Sequence, residues 1–317
     1  MKKWIVLLLS ILMLGMLAGC GNAPASSSSG NAKKDKPEIT IGLMPDTDSI
    51  PFLVAQEKGY FEEEGVKVNI QQFKSAMDRD SALQSGNLDG AVSDMLAAAF
   101  AKDGGFDVKV TSRTDGSYKL VAGKGENISS VKDLKGKDVS VSRNTIIEYV
   151  TDQILAKESM TGDDINKVII PQIPTRLEML QNGKLAAATL PEPMASIAIH
   201  NGCKLVEGSD DLGINPGVIV FTQKAADDKL ESIRAMYRAY NKAVDYLNNT
   251  PQDEYMDMVI EKSGFPDGTK EALKLPKYQK AALPKDSDVN DCIKWLVDKG
   301  LIHSSFNYKE IVQNLLP

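Results

Sequence analysis

The chain has 317 residues, 42% of them hydrophobic and 25% charged, and a formal charge of −6. That length is ample for a sizeable core and suggests one large or two medium domains. An acidic chain with scattered basic residues lacks the electrostatic footprint of a nucleic-acid binder. His200 and His303 lie far apart with no second histidine at metal-ligand spacing, which argues against a histidine-rich zinc site and a Ser-His-Asp triad. No metal and no cofactor are expected.

The N-terminus reads "MKKWIVLLLSILMLGMLAGCGN". Lys2 and Lys3 precede a short apolar core, the pattern of a secretory signal peptide over residues 1–19, too short to span a bilayer comfortably. Leu17-Ala18-Gly19-Cys20 resembles the bacterial lipobox, which implies acylation of Cys20 (palmitate) and a lipid anchor on the extracytoplasmic face of the cell membrane. Residues 20–37 include four consecutive serines and read as a flexible linker. Loss of Lys2 and Lys3 with the leader takes the formal charge from −6 to −8. Cys203 and Cys292 then remain; an oxidising compartment allows them to pair, but isolated cysteines at wide spacing more often are buried thiols.

"EITIGL" alternates Ile39, Ile41 and Leu43 as a strand, a turn follows at residues 45–49, and Pro51 stands where a helix can begin. Gly59 stops that helix, and Val66, Val68 and Ile70 alternate again, which makes a β-α-β unit. Further strands are expected at 107–112, 118–123, 137–142, 167–172, 203–208 and 217–222. Thr145 to Glu148 fits a capping box opening a helix to about Ser159. From Lys229 the apolar residues recur at helix spacing until Pro251. In "LAAATLPEPMASIAI", Glu192 stands between two prolines just past a buried strand, with little backbone freedom.

A near-repeat organises these elements. Residues 83–91 read "LQSGNLDGA" and residues 180–188 read "LQNGKLAAA", each closing a helix with Gly and entering a small-residue strand. The alignment puts Ser93-Asp94 and Leu190-Pro191-Glu192 in matching places, at the carboxyl end of a strand where open α/β sheets bind ligands. Two α/β lobes are then expected to face each other across a cleft.

Three segments carry a family resemblance. "PFLVAQEKGYFEEEGVKVNI" resembles the opening of extracytoplasmic solute-binding proteins of ABC importers, "SSVKDLKGKDVSVSRNT" their entry into a second lobe, and "LQNGKLAAATLPEP" their "nGkvDA…EP" segment. The similar branch carries nitrate, alkanesulfonates, taurine and thiamine-pyrimidine precursors. The resemblance implies the type II periplasmic-binding-protein fold: two Rossmann-like lobes with mixed, mostly parallel sheets and two hinge crossovers. Lobe one is placed at 38–119 plus 217–317 and lobe two at 120–216. It further implies a small-molecule ligand, an ABC permease and its ATPase as partners, a monomer, and capture by hinge closure. Ala186-Ala187 depart from the family's Asp, which the first copy keeps as Asp89; Asp89 is read as structural.

Carried over position by position, the resemblance implies a wall of Asp46, Thr47, Ser49, Ile50 and Pro51, then Ser75, Ser93 and Asp94. The second lobe would add Ser142, Arg143, Asn144, Thr175 and Glu192. Arg143 follows a strand end and precedes a helix N-terminus, a place suited to gripping a carboxylate or sulfonate. Arg113 and Arg176 rank lower, since nothing in the sequence fixes their direction. Glu192, Asp46, Asp48 and Asp94 suit amino or ring N–H donors, and Tyr118 or Tyr149 suits stacking on a flat ring. These features favour an organic, nitrogen-bearing solute, with a sulfonate as the alternative. No His or Cys falls at an expected cleft position, which argues against an enzyme on this fold; a sensory lipoprotein that uses the fold for recognition only is the alternative to transport.

Overall fold

The computed structural model describes residues 36–317, so the expected signal peptide, Cys20 and nearly all of the linker lie outside the described residues. Along the chain come β1 (Ile39–Leu43), β2 (Val68–Gln72), β3 (Gly90–Asp94) and β4 (Val108–Arg113). There follow β5 (Tyr118–Ala122), β6 (Asp138–Val141), β7 (Asn166–Ile169), β8 (Ala187–Pro191) and β9 (Lys204–Gly208). The last is β10 (Gly217–Thr222).

These strands form two five-stranded sheets, ordered β2-β1-β3-β10-β4 and β7-β6-β8-β5-β9. In the first, β1 runs parallel to β2 and β3, while β10 runs antiparallel to β3 and β4. The second repeats that scheme, with β6 parallel to β7 and β8, and β5 antiparallel to β8 and β9. The sheets are mixed, with parallel and antiparallel pairings in equal number, because each receives one strand that arrives from the other sheet. The chain leaves the first sheet through residues 114–117 and returns through residues 209–216. The expected lobe boundary at 119/120 falls inside β5, all five residues of which pair with β8. "KVIIPQ" stops being a strand at Ile169, two residues before Pro171, which lacks a ladder donor.

The repeat appears as matched helix-strand units. The helices Ala76–Gln84 and Ile173–Gln181 both run into a left-handed glycine, Gly86 at φ 79° and Gly183 at φ 64°. Each then feeds the central strand of its sheet, β3 or β8. Asp89, in the first copy alone, accepts from the Thr40 amide at 2.7 Å and the Lys229 ammonium at 2.8 Å. Two apolar cores flank the sheets, and strand alternation sends Ala91 to one and Val92 to the other. The helix Leu230–Asn249 buries Ile233, Met236, Tyr237, Tyr240 and Val244 at helical spacing. Cys203 and Cys292 are buried and free.

Gly90 marks where the copies differ. A Cβ there would stand 2.5 Å from the Val220 carbonyl oxygen and 2.6 Å from the Phe221 ring, whereas the equivalent Ala187 is fully buried without difficulty. Gly90→Ala is expected to lower stability by about 1–3 kcal/mol through overpacking. A urea titration would read this as a lower midpoint at unchanged slope.

Candidate ligand site

A cavity lies at the carboxyl ends of the central strands, walled from both sheets. The first sheet contributes Met44, Asp46 and Asp48 from the segment after β1, Arg79 from the helix Ala76–Gln84, and Ser93 and Asp94 from β3. Across from them stand Tyr118 of β5, Ser142 and Thr145 after β6, Arg176 of the helix Ile173–Gln181, and Pro191 of β8.

The loop after β1 is folded by its own side chains. Asp46 caps the turn Thr47–Ser49, accepting from the Ser49 amide at 3.2 Å and the Ser49 hydroxyl at 3.0 Å. Ser49 Oγ in turn accepts from the Met44 amide at 3.2 Å. Asp48 Oδ2 accepts from the Tyr118 hydroxyl at 3.0 Å, and a Cβ on Gly116 would stand 2.2 Å from the same oxygen. Its other oxygen, Oδ1, is buried without a hydrogen-bond partner among the described residues. Burial pushes the Asp46 carboxyl up to about 6, eased by its bonds to Ser49. Burial and then the neighbouring Asp46 charge push Asp48 up to about 8. Asp94 is raised by burial too, with Arg79 opposing, and it caps the helix Met95–Asp103 through the Ala97 amide at 2.9 Å.

Two buried arginines hold equivalent places. Each stands four residues before its Leu-Gln-x-Gly segment. Arg79 donates to the Val92 carbonyl at 3.3 Å, and Arg176 to the carbonyl of the matching strand residue, Thr189, at 3.1 Å. Their remaining partners differ. Arg79 lies 2.8 Å from Asp80 and 3.8 Å from Asp94. Arg176 meets only the Ile170 carbonyl at 2.7 Å and the Pro171 carbonyl at 3.4 Å; Nη2 of both arginines lacks a hydrogen bond among the described residues, but that of Arg79 stands beside carboxylates and that of Arg176 does not. Burial alone lowers Arg176 to about 10, so it stays charged at neutral pH.

Of the expected residues, Asp46, Ser93, Asp94 and Ser142 line the cavity. Ser93 Oγ is buried and unpartnered among the described residues. Thr47, Ser49, Ile50, Pro51 and Ser75 are buried behind the wall, outside it. Ser75 caps the helix Ala76–Gln84 through the Asp78 amide at 3.2 Å. Arg143, Asn144 and Thr175 are exposed and also stand outside the wall. Asn144 holds φ 57°, and its amide donates to Glu148 at 2.7 Å, so the expected capping reach of Glu148 goes one residue earlier than Thr145. Thr145 itself lines the cavity.

Glu192 turns its carboxylate inward. It is buried, pairs with Lys119 of the neighbouring strand, and accepts from the Ser196 amide at 3.0 Å and hydroxyl at 2.8 Å. Its backbone oxygen instead accepts from the Thr47 amide at 3.1 Å, tying the second sheet to the first. Two further bonds span the sheets: the Ile173 amide to the Lys74 carbonyl at 3.1 Å, and Gln172 Nε2 to Asp78 at 3.1 Å. Extending the repeat four residues toward the N-terminus would have singled out Arg79 and Arg176 in advance.

Two measurements check this geometry. Arg143→Ala is expected to leave affinity for the solute extracted from the protein within about 0.5 kcal/mol, as for an exposed side chain away from contacts. For Asp46 and Asp48 the folded-state values lie above the ordinary carboxylate value of 3.8, so their stabilising contribution is full below that value and is lost as pH rises through about 6 to about 8. Thermal midpoints of the ligand-free protein should therefore fall over that window. Asp48→Asn should flatten the fall, gaining on the wild type between pH 5 and pH 8.

Residues 46–254, more than half of the chain, match the family described as NMT1/THI5 like. The chain is 27% identical over 266 residues to the "Putative aliphatic sulfonates-binding protein" of Bacillus subtilis (strain 168), covering 81% of this chain and 76% of that one. It superposes with a TM-score of 0.75 on the alkanesulfonate-binding protein SsuA from Xanthomonas axonopodis pv. citri bound to MOPS, at 17% identity over 88% of this chain and 99% of the other. On the periplasmic nitrate-binding protein NrtA from Synechocystis PCC 6803 the TM-score is 0.69, at 14% identity, with 84% of this chain and 83% of the other covered. The two superpositions show a shared periplasmic-binding-protein fold. The chain belongs to the NMT1/THI5 like family.

Proposed function

We infer that this chain is the solute-binding component of an ABC importer, holding a small organic solute between two lobes and handing it to a membrane permease driven by its ATPase. The observation that carries the reading is the cavity itself: walls from both halves of the repeat enclose buried polar atoms, Asp48 Oδ1, Ser93 Oγ and Arg176 Nη2, that lack protein partners among the described residues. Such atoms cost stability unless something meets them. The relatives and neighbours described above are named as binding proteins, which supports capture without chemistry. The solute is an organic molecule bearing nitrogen donors, or a sulfonate.

In this reading the chain works as a monomer, with one lobe built on each sheet, the lobes meeting at residues 114–117 and 209–216 and closing by hinge motion. The lipobox supports an anchor through acylated Cys20, with the binding lobes on the extracytoplasmic face. No helix among the described residues is long and apolar enough to cross a membrane, which is compatible with such an anchor.

The test is extraction and identification of the small molecule that copurifies with the chain, followed by its uptake in cells with and without the gene. Loss of uptake on deletion, with the molecule recovered unchanged after incubation with purified protein, is the expected result. Readdition at a hundredfold excess over its Kd should stabilise the stripped protein by about 2.7 kcal/mol. A chemically altered molecule would make the chain an enzyme, and normal uptake with lost signalling would make it a sensor.

A further inference from the structure

The cavity is lined by five ionisable side chains: Arg79, Arg176, Asp46, Asp48 and Asp94, each almost wholly buried. Arg79 is balanced by Asp80 and Asp94. That leaves Arg176 on one side, and Asp46 with Asp48 on the other. Neither group has an ion-pair partner among the described residues.

The repeat says what is missing at Arg176. In the first copy, the acids facing the arginine are the next residue on the helix, Asp80, and the last residue of the central strand, Asp94. In the second copy those places hold Leu177 and Pro191. Both acids have been exchanged for groups that cannot accept a hydrogen bond from a guanidinium, while the arginine and its strand-carbonyl bond are kept. A buried guanidinium served only by carbonyls retains its charge at a large desolvation cost, and a free Nη2 is half of a bidentate grip on an oxyanion.

The opposite pole is as incomplete. Asp48 uses Oδ2 on Tyr118, with the Thr114 side chain beside it, and its Oδ1 has no hydrogen bond among the described residues; Arg79 attracts Asp46, but no lysine or arginine among them comes within ion-pair distance of either acid. A solute with one negative charge would answer Arg176 but share a closed space with two carboxyls. An amine alone would answer the carboxyls and leave Arg176 unpaired.

We propose that the solute is dipolar: its acid group, carboxylate or sulfonate, pairs with Arg176, and a cationic amine at its other end pairs with Asp48 and Asp46. This rests on the reading of the cavity as a solute site and names the class of solute it takes.

The test uses the purified full chain, stripped of bound molecules by unfolding and refolding. Straight-chain ω-amino carboxylates and ω-aminosulfonates of graded length are titrated beside the matching acids without the amine and the matching amines without the acid. The best dipolar probe should bind at least about tenfold more tightly than either one-ended counterpart, a difference of about 1.4 kcal/mol. The better of the two dipolar series assigns the acid as carboxylate or sulfonate. Asp48→Asn should erase the advantage over the amine-free acid, and Arg176→Gln the advantage over the acid-free amine. Leu177→Asp, which restores the first copy's acid beside Arg176, should weaken dipolar probes at least about tenfold, and its circular dichroism shows whether the fold is kept. An amine-free acid that binds as tightly as its dipolar partner, or an extracted molecule with a single charge, overturns the proposal and leaves solute capture standing. No shift with any probe and no extracted molecule overturns both.

Discussion

A guanidinium taken out of water must find acceptors for all its donors, and that demand shapes the centre of this protein. Each half of the repeat plants an arginine on a helix and ties it to the carbonyl of its central strand. The tie fixes the helix against the strand in both halves. From that point the halves diverge, because only one of them keeps acids beside the arginine. A common scaffold thus yields one structural arginine and one whose electrostatics are open to a partner.

The walls meet through few but well-placed bonds. Backbone groups of Thr47 and Glu192, and of Ile173 and Lys74, join across the cleft, and the Tyr278 hydroxyl holds the Thr47 carbonyl at 2.9 Å. Two of these contacts are main chain to main chain, and side chains make the others, Gln172 Nε2 to Asp78 among them. Closing them keeps bulk water from the buried charges, which strengthens every electrostatic contact inside. Tyr118 adds to this, since it belongs to the second sheet yet bonds to Asp48 of the first.

The fold was largely legible because it is written locally. Strand alternation, glycines at helix ends and the repeated Leu-Gln-x-Gly segment each report on a few adjacent residues, and together they put Ser93, Asp94 and Glu192 at the ends of the right strands. Side-chain direction was less legible. Glu192 has the expected address, but Lys119 on the adjacent antiparallel strand draws its carboxylate away from the cleft, and that neighbour is far away in sequence. Arg143 sits at a strand end as expected, yet nothing in a loop of exposed residues holds it toward the cavity. Nothing adjacent to Arg176 in sequence gives its direction, which is set by the bond to a strand carbonyl that it shares with Arg79.

The two crossovers also bear on how the chain is made. β10 lies between β3 and β4, so the first sheet cannot be completed until residue 222 is available, after the whole second sheet has been specified. Until then β3 presents an unpaired edge to whatever surrounds the emerging polypeptide. A sheet closed by a strand from so far along the chain carries high contact order, which slows folding. The half that is made first therefore cannot lock into its native sheet before the half that follows has arrived.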